Sequence, residues 1–197
     1  MQAAFEPGLR AIAIVLMHGY RYTAHEEQLA ALALEVGFTQ ISVSHRVGAL
    51  IKLVGRGDTT VVDAYLSPVL HRYVERLSRE LGGESRPLFM QSNGGLIEGT
   101  AFMGKDAILS GPAGGIVGLA RTAADAGFAR VIGFDMGGTS TDVSHYAGAF
   151  ERTNETLVAG ARIRAPMMRI DTVAAGGGSI CRFDGARLVV GPQSAGA

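Results

Sequence analysis

Asp135 and Asp142 bracket the stretch Met136-Gly137-Gly138-Thr139-Ser140-Thr141. Two carboxylates, two adjacent glycines and three hydroxyls this close together suit phosphate chemistry. A phosphate held against backbone N–H groups needs residues without a β-carbon, which Gly137 and Gly138 supply. Thr139, Ser140 and Thr141 add hydroxyl donors. Asp135 and Asp142 repel phosphate directly, but they fit if Mg²⁺ lies between them and the phosphate oxygens, bound largely through water. The same residues also make an ordinary polar turn closed by Asx-type hydrogen bonds, and the pattern leaves both readings open.

Three further glycine clusters stand at the ends of expected elements: "MQSNGG" (90–95), "LSGPAGG" (109–115) and "AAGGGS" (174–179). Turns alone account poorly for so many, and loops at the rim of a site have this profile. Ser110 fits a helix cap equally well. Other chemistries lack their signatures. No Gly-x-x-x-x-Gly-Lys-Ser/Thr occurs, and Lys105 lacks both the spacing and the hydroxyl of a P-loop. No Gly-x-Ser-x-Gly elbow is present, with Ser92 the nearest failure. His18, His25, His45, His71 and His145 are scattered without metal-ligand spacing.

The bulk composition narrows the partners. The 197 residues carry 18 basic and 18 acidic side chains, with no run of Lys or Arg. This argues against nucleic acid or an anionic membrane as the main partner. Hydrophobic residues make up 47%, enough for a real core. The single cysteine, Cys181, excludes an internal disulfide and fits a reducing, cytoplasmic setting. Its expected role is a small buried hydrophobe. No signal peptide is visible after Met1, and "AIAIVLM" (11–17) falls far short of the roughly 20 residues that span a bilayer.

The elements that must position these residues follow from periodicity. Residues 11–17 and 40–44 read as strands. Between them a helix opens at Thr23, where Thr-x-x-Glu through Glu26 is a capping box, with Leu29, Leu32 and Val36 as its buried stripe and Gly37 as its stop. This is a βαβ unit, which implies a parallel pair. A long helix is expected from Asp58, with Val62, Leu66, Leu70, Tyr73, Leu77 and Leu81 on one face, a kink or break at Pro68, and an end at Gly82-Gly83. "PLFMQ" (87–91) reads as a buried strand, and 112–126 as a helix with Gly127 as its C-cap. From Arg130 the chain turns strand-rich: 143–149, 156–165, 169–175 and a hairpin about Asp184-Gly185. The composition therefore shifts near residue 128.

"AYLSPVL", "MQSNGGL", "LSGPAGG", "DMGGTSTDV" and "AAGGGSI", in this order, resemble the hydantoinase A / 5-oxoprolinase family, within the actin-like ATPase superfamily. The motifs span about residues 10–197. The resemblance implies an α/β, ribonuclease-H-like (actin-like ATPase) fold with mixed sheets, flanking helices and parts of two domains. Residues 1–128 would be the later part of the first domain, including the connecting helix, and 129–197 the start of the second. It also implies an enzyme that uses ATP and Mg²⁺ to open a lactam or hydantoin by phosphorylating the ring carbonyl oxygen. Gly137, Gly138, Thr139, Ser140 and Thr141 would hold phosphate, Asp135 and Asp142 would serve the metal or the attacking oxygen, and Ser110, Gly114, Gly176, Gly177 and Gly178 would be secondary nucleotide or hinge contacts. The substrate would be a small cyclic amide, and a second subunit of the hydantoinase B type is an implied partner. An acetone-carboxylase-type subunit and a non-enzymatic regulatory ATP-binding module are the alternatives.

The sequence departs from that family in two places. The family opens with a further Asp-x-Gly-Gly-Thr hairpin, absent before Phe5, and continues well beyond "SAGA"; the chain is therefore expected to be an internal fragment, inactive by itself. "LVGRGDTT" also departs from the acidic and aromatic residues usual there.

Overall fold

The computed structural model describes residues 1–82, 85–158 and 160–196. The chain divides into two compact units, Met1–Ser110 with Thr153–Met167, and Gly111–Arg152 with Met168–Ala197.

The first unit is built on a βαβ element. Strands β1 (Ala11–Ile14) and β2 (Gln40–Val43) pair in parallel, Ala11 opposite Gln40, and the crossover helix is α2 (Ala24–Val36), after a short N-terminal helix, α1 (Gln2–Phe5). Gly37 ends α2 at φ 107°, a conformation that costs glycine nothing, and its N–H returns to Ala33 and Leu34. Ile14, Ala30, Ala33, Phe38 and Val43 form the core, with Leu29 and Val36 packed beside them. Leu32, expected in the buried stripe, is 50% exposed, because the alanines bring the helix close to the strands and turn Leu32 outward. The expected capping box is also absent: Thr23 makes no side-chain cap bond, and Glu26 points into the unit instead.

After a one-turn helix, α3 (Ser44–Gly48), the long helix α4 runs Leu53–Glu80, starting before Asp58 and passing through Pro68 unbroken. Gly55 and Gly57 weaken helix propensity, yet tertiary contacts extend the helix over them. A β-carbon at Gly55 would lie 2.6 Å from Arg164 Cδ, and buried Arg56 donates from Nε to Ser44 Oγ (2.9 Å) and from its terminal nitrogens to the carbonyls of Leu16, Met17, Leu50 and Ile51. The inward side of α4 is polar (Arg56, Thr59, Thr60, Asp63, Ser67), while Val61, Tyr65, Val69 and Tyr73 are exposed. Thr59 and Thr60 tolerate burial because their hydroxyls bond back to the Gly55 and Arg56 carbonyls at 2.9 and 2.7 Å. Gly83, the second glycine of the expected helix stop, lies outside the described residues.

Strands β3 (Leu88–Met90) and β4 (Leu96–Glu98) form a hairpin through "QSNGG", so "PLFMQ" is a paired strand with Leu88 exposed rather than a buried one. A later hairpin, β7 (Thr156–Val158) and β8 (Ala161–Ile163), lays Ile163, Ala165 and Met167 against Val62, Ile108 and Leu109.

In the second unit, α5 (Ser110–Asp125, its first residue counted with the first unit) packs Ala113 and Ile116 on Met168, Phe150 and Ile170. Strands β5 (Val131–Met136) and β6 (Thr141–Tyr146) form an antiparallel hairpin, and β9 (Asp171–Val173) joins β6 on its other side. A separate hairpin pairs β10 (Ser179–Phe183) with β11 (Leu188–Ser194) across Asp184-Gly185; Asp184 accepts the N–H groups of Ala186 and Arg187 at 3.0 and 2.9 Å. Cys181 lies on β10 and is exposed, not buried as expected, in a two-stranded hairpin most of whose residues are themselves exposed. No helix among the described residues is long and apolar enough to cross a membrane.

Candidate active site: an aspartate-bracketed glycine hairpin

Asp135 and Asp142 are register partners across β5 and β6. Directly opposite residues share a face, with β-carbons about 4.5–5.5 Å apart, and like charges placed so are destabilising unless something neutralises them. Asp142 is half-buried and accepts from Thr172 Oγ1 at 2.6 Å, so one of its oxygens has a fixed orientation. Asp135 is exposed at the end of β5. The turn between them, Gly137 to Ser140, is closed by the Gly137 N–H on the Ser140 carbonyl (2.9 Å).

The "AAGGGS" loop lies directly on this turn. Gly177 and Gly178 donate to the Gly137 and Gly138 carbonyls at 2.9 and 2.7 Å, and Ser194 Oγ donates to Gly138 O at 3.1 Å. Thr141, buried, donates its hydroxyl to the Ala175 carbonyl at 2.6 Å. The hairpin's carbonyls thus face the supporting loop, and backbone pairing between two glycine segments makes the turn rigid. The Gly176 approach is tighter still. A β-carbon there would lie 2.5 Å from Gly137 O and 2.8 Å from both Gly138 C and Ser140 N, all backbone atoms that cannot swing away. Gly176→Ala is expected to destabilise the second unit by roughly 1–3 kcal/mol, as overpacking does. Chemical denaturation of the purified variant checks this; an unchanged midpoint would show that the two segments part easily.

A cavity of about 260 Å³ opens beside the hairpin, with Asp135, Asp142 and Ser144 on the strand side and Pro112, Gly115 and Ile116 on the helix side. Gly115 leaves this space open: a β-carbon there would approach Asp135 Oδ2 to 3.9 Å. Gly114 sits half-buried on α5, and the helix wall of the cavity is Gly115 instead. Ser110 is the first residue of α5 and belongs to the first unit. Asp135, Gly137, Gly138, Thr139, Ser140, Thr141, Asp142 and Gly176–Gly178 are therefore brought together in one unit. Gly115 also contributes, as do Thr172 and Ser194, neither of which the sequence marks. Gly115 had a signal in its glycine pair; Thr172 and Ser194 had none, since each meets the hairpin only through folding.

The donor set fits Mg²⁺ in one form only. Among the described residues no group of three or more His, Cys, Asp or Glu side chains could hold a metal. Two carboxylates, with water and the oxygens of a bound phosphate completing an octahedron, are the kind of arrangement Mg²⁺ favours over an all-protein cage.

The fold is that of the actin-like ATPases. A solved ATP-dependent caprolactamase from Pseudomonas jessenii superposes with a TM-score of 0.84 at 35% identity, covering 98% of this chain and 29% of that one. A nucleotide-free acetone carboxylase superposes with a TM-score of 0.79 at 26% identity, covering 95% and 28%. In sequence, residues 56–197 match the hydantoinase/oxoprolinase family model, and the chain belongs to that family. 5-oxoprolinase 1 of Arabidopsis thaliana is 46% identical over 202 residues, all of this chain and 16% of its own length. The caprolactamase of Pseudomonas jessenii is also matched in sequence, its subunit alpha being 38% identical over 98% of this chain and 29% of its own. The chain thus spans about a sixth to under a third of the length of these relatives.

Proposed function

We propose that these residues belong to an ATP-dependent cyclic amide hydrolase of the 5-oxoprolinase or hydantoinase kind and supply one half of its phosphate clamp. The observation that carries this reading is the facing pair Asp135 and Asp142 around a glycine turn braced by a second glycine loop. On this reading 1–128 is the later part of one ribonuclease-H-like domain, with the connecting helix, and 129–197 the start of the next.

An unstrained lactam resists water. Transfer of the γ-phosphoryl group to its carbonyl oxygen, with release of ADP, activates that carbon; water would add to it, the ring C–N bond would break to leave an amine and an acyl phosphate, and a second water would release phosphate. The protein's part is positioning and charge neutralisation. The Gly138 N–H and the hydroxyls of Thr139 and Ser140 would hold phosphate oxygens; the Gly137 N–H closes the turn on the Ser140 carbonyl, so Gly137 would serve by leaving room for the phosphate. Thr141 serves by bracing the turn through Ala175. Asp135 and Asp142 would hold Mg²⁺, which when bound neutralises phosphate charge; Gly176 to Gly178 support the turn, and Ser110 and Gly114 are secondary nucleotide or hinge contacts. Cytoplasmic residence fits the free, exposed Cys181. A second subunit of the hydantoinase B type is the proposed partner, supported by the relative named as subunit alpha.

A carboxylase-type subunit is the second reading, favoured by the structural match to acetone carboxylase. A regulatory ATP-binding module is the third. The deciding experiment is ADP release by the full-length parent with and without 5-oxoproline and a panel of hydantoins. Release stimulated by a cyclic amide, with matching ring opening, is expected. Release indifferent to every cyclic amide would move the assignment to one of the other two readings.

A further inference from the structure

The first unit holds a second place suited to a small molecule, apart from the phosphate hairpin. A cavity of about 320 Å³ is walled by apolar side chains that include Val43, Val47 and Phe102. Pockets of this kind, apolar with a few convergent polar groups, are where small ligands bind, and this volume lies at the lower end of their usual range of roughly 300–1,000 Å³. Its polar lining includes Asp63 on α4, flanked by Ser42 and Ser67, and His71 two turns further along, together with Gln40, Arg46 and Thr100.

Asp63 is 2% exposed and carries no cationic partner among the described residues. Its carboxylate accepts from Ser42 Oγ at 2.7 Å, Ser67 Oγ at 3.3 Å and the Lys105 N–H at 3.2 Å. The Lys105 ammonium is turned to Asp106 instead, at 2.7 Å. These bonds fix the carboxylate, since Ser42 is itself held by Gln40 Nε2 (3.0 Å) and Ser67 by the Gly104 N–H (3.1 Å). They also account for part of its role as a clamp between β2, α4 and the turn at Gly104–Asp106. They do not neutralise it, and a buried charge met only by neutral donors gains from a further N–H or an ammonium. A carboxylate has about four acceptor positions, of which three are occupied here. His71 also lines the cavity and makes no hydrogen bond among the described residues, while Arg46 lies at the rim, held by Glu27. The cavity lining therefore offers a buried acceptor, Asp63, and, two helical turns along α4 from it, the imidazole of His71.

We propose that this cavity binds a small amino-acid-derived molecule, its N–H or ammonium on Asp63 and its carboxylate toward His71. The choice of probes rests on the proposed function: the cyclic amide 5-oxoproline and the open amino acid glutamate share this chemistry. The test is equilibrium dialysis of each labelled probe against the full-length parent without nucleotide, and against its Asp63→Asn and His71→Leu variants. At least one probe is expected to bind, and each substitution to weaken it about tenfold or more, with the affinity for a fluorescent ATP analogue unchanged in both variants and the melting temperature unchanged in His71→Leu. Binding of 5-oxoproline alone marks a site for the ring; binding of glutamate alone marks a site for the ammonium form. If Asp63→Asn does not fold, His71→Leu decides. Wild-type affinity in the variants, or no binding of either probe, overturns the site. The two ideas fail separately. Asp63-dependent binding without turnover keeps the site and removes the hydrolase reading, whereas turnover with unaffected variants does the reverse.

Discussion

An Asp142→Ala exchange in the full-length parent is expected to lower ATP-dependent ring opening by roughly 10²–10³-fold, the usual effect of removing one group aimed at developing charge. Two features of the geometry make Asp142 the more sensitive of the pair. It is half-buried where Asp135 is exposed, and Thr172 Oγ1 fixes one of its oxygens at 2.6 Å. A group held this way acts through orientation as well as charge. Asp142→Asn keeps the shape while removing the charge and should lose nearly as much. The loss should fall on kcat, with KM for ATP within a fewfold, because the Gly138 N–H and the Thr139 and Ser140 hydroxyls would still hold the nucleotide. Steady-state ADP release and circular dichroism of the same preparations check this. Turnover within threefold of wild type in a folded Asp142→Ala protein would remove the hairpin from the chemistry.

Glu26→Ala is expected to destabilise the first unit by about 3–5 kcal/mol, the cost of stripping one member from a buried charged network. Glu26 is fully buried, and its carboxylate receives the Leu16 N–H (2.8 Å), Ser44 Oγ (2.6 Å), the His45 N–H (3.2 Å) and His45 Nδ1 (2.7 Å). Gly19 lies so near that a β-carbon there would meet Glu26 Oε1 at 2.2 Å. One side chain thus gathers the loop after β1 and the segment after β2. Burial alone pushes its pKa up. The bonds from Ser44, Leu16 and His45 together outweigh burial and hold it below the ordinary 4.5. A carboxyl whose folded pKa is depressed adds stability that is present above its unfolded value and lost as pH falls through the folded one. Resistance to urea should therefore fall as the solution is acidified below about pH 4.5, and the dependence should flatten in Glu26→Gln. Equal acid sensitivity in the two proteins would place the titrating group elsewhere.

Local features of this fold were legible because their causes are local. Gly37 at φ 107° ends α2 by backbone freedom alone, and the βαβ order of residues 11–43 follows from alternating periodicities. The hairpin at Gly137-Gly138 was likewise visible, since its residue types and spacing suffice to suggest a phosphate loop. Glu26 shows the opposite case. Its spacing from Thr23 is that of a capping box, yet four donors from distant segments draw it inward and outweigh one terminal N–H. The buried face of α4 departs from its leucine stripe for a related reason: leucine spacing marks an apolar stripe, but only partners elsewhere make burial of Arg56 and Asp63 tolerable.

By itself, then, the sequence determined the order of the main elements, the glycine hairpin proposed to hold phosphate and the family, all of which depend on short-range spacing or on ordered motifs. Only the tertiary structure decided which glycines touch, that Gly176 to Gly178 brace the Gly137-Gly138 turn, that Thr172 orients Asp142, and that Asp63 faces a cavity. These contacts join residues about 30 to 40 positions apart. Their formation depends on the packing of whole elements, and no local propensity encodes a distance of that kind.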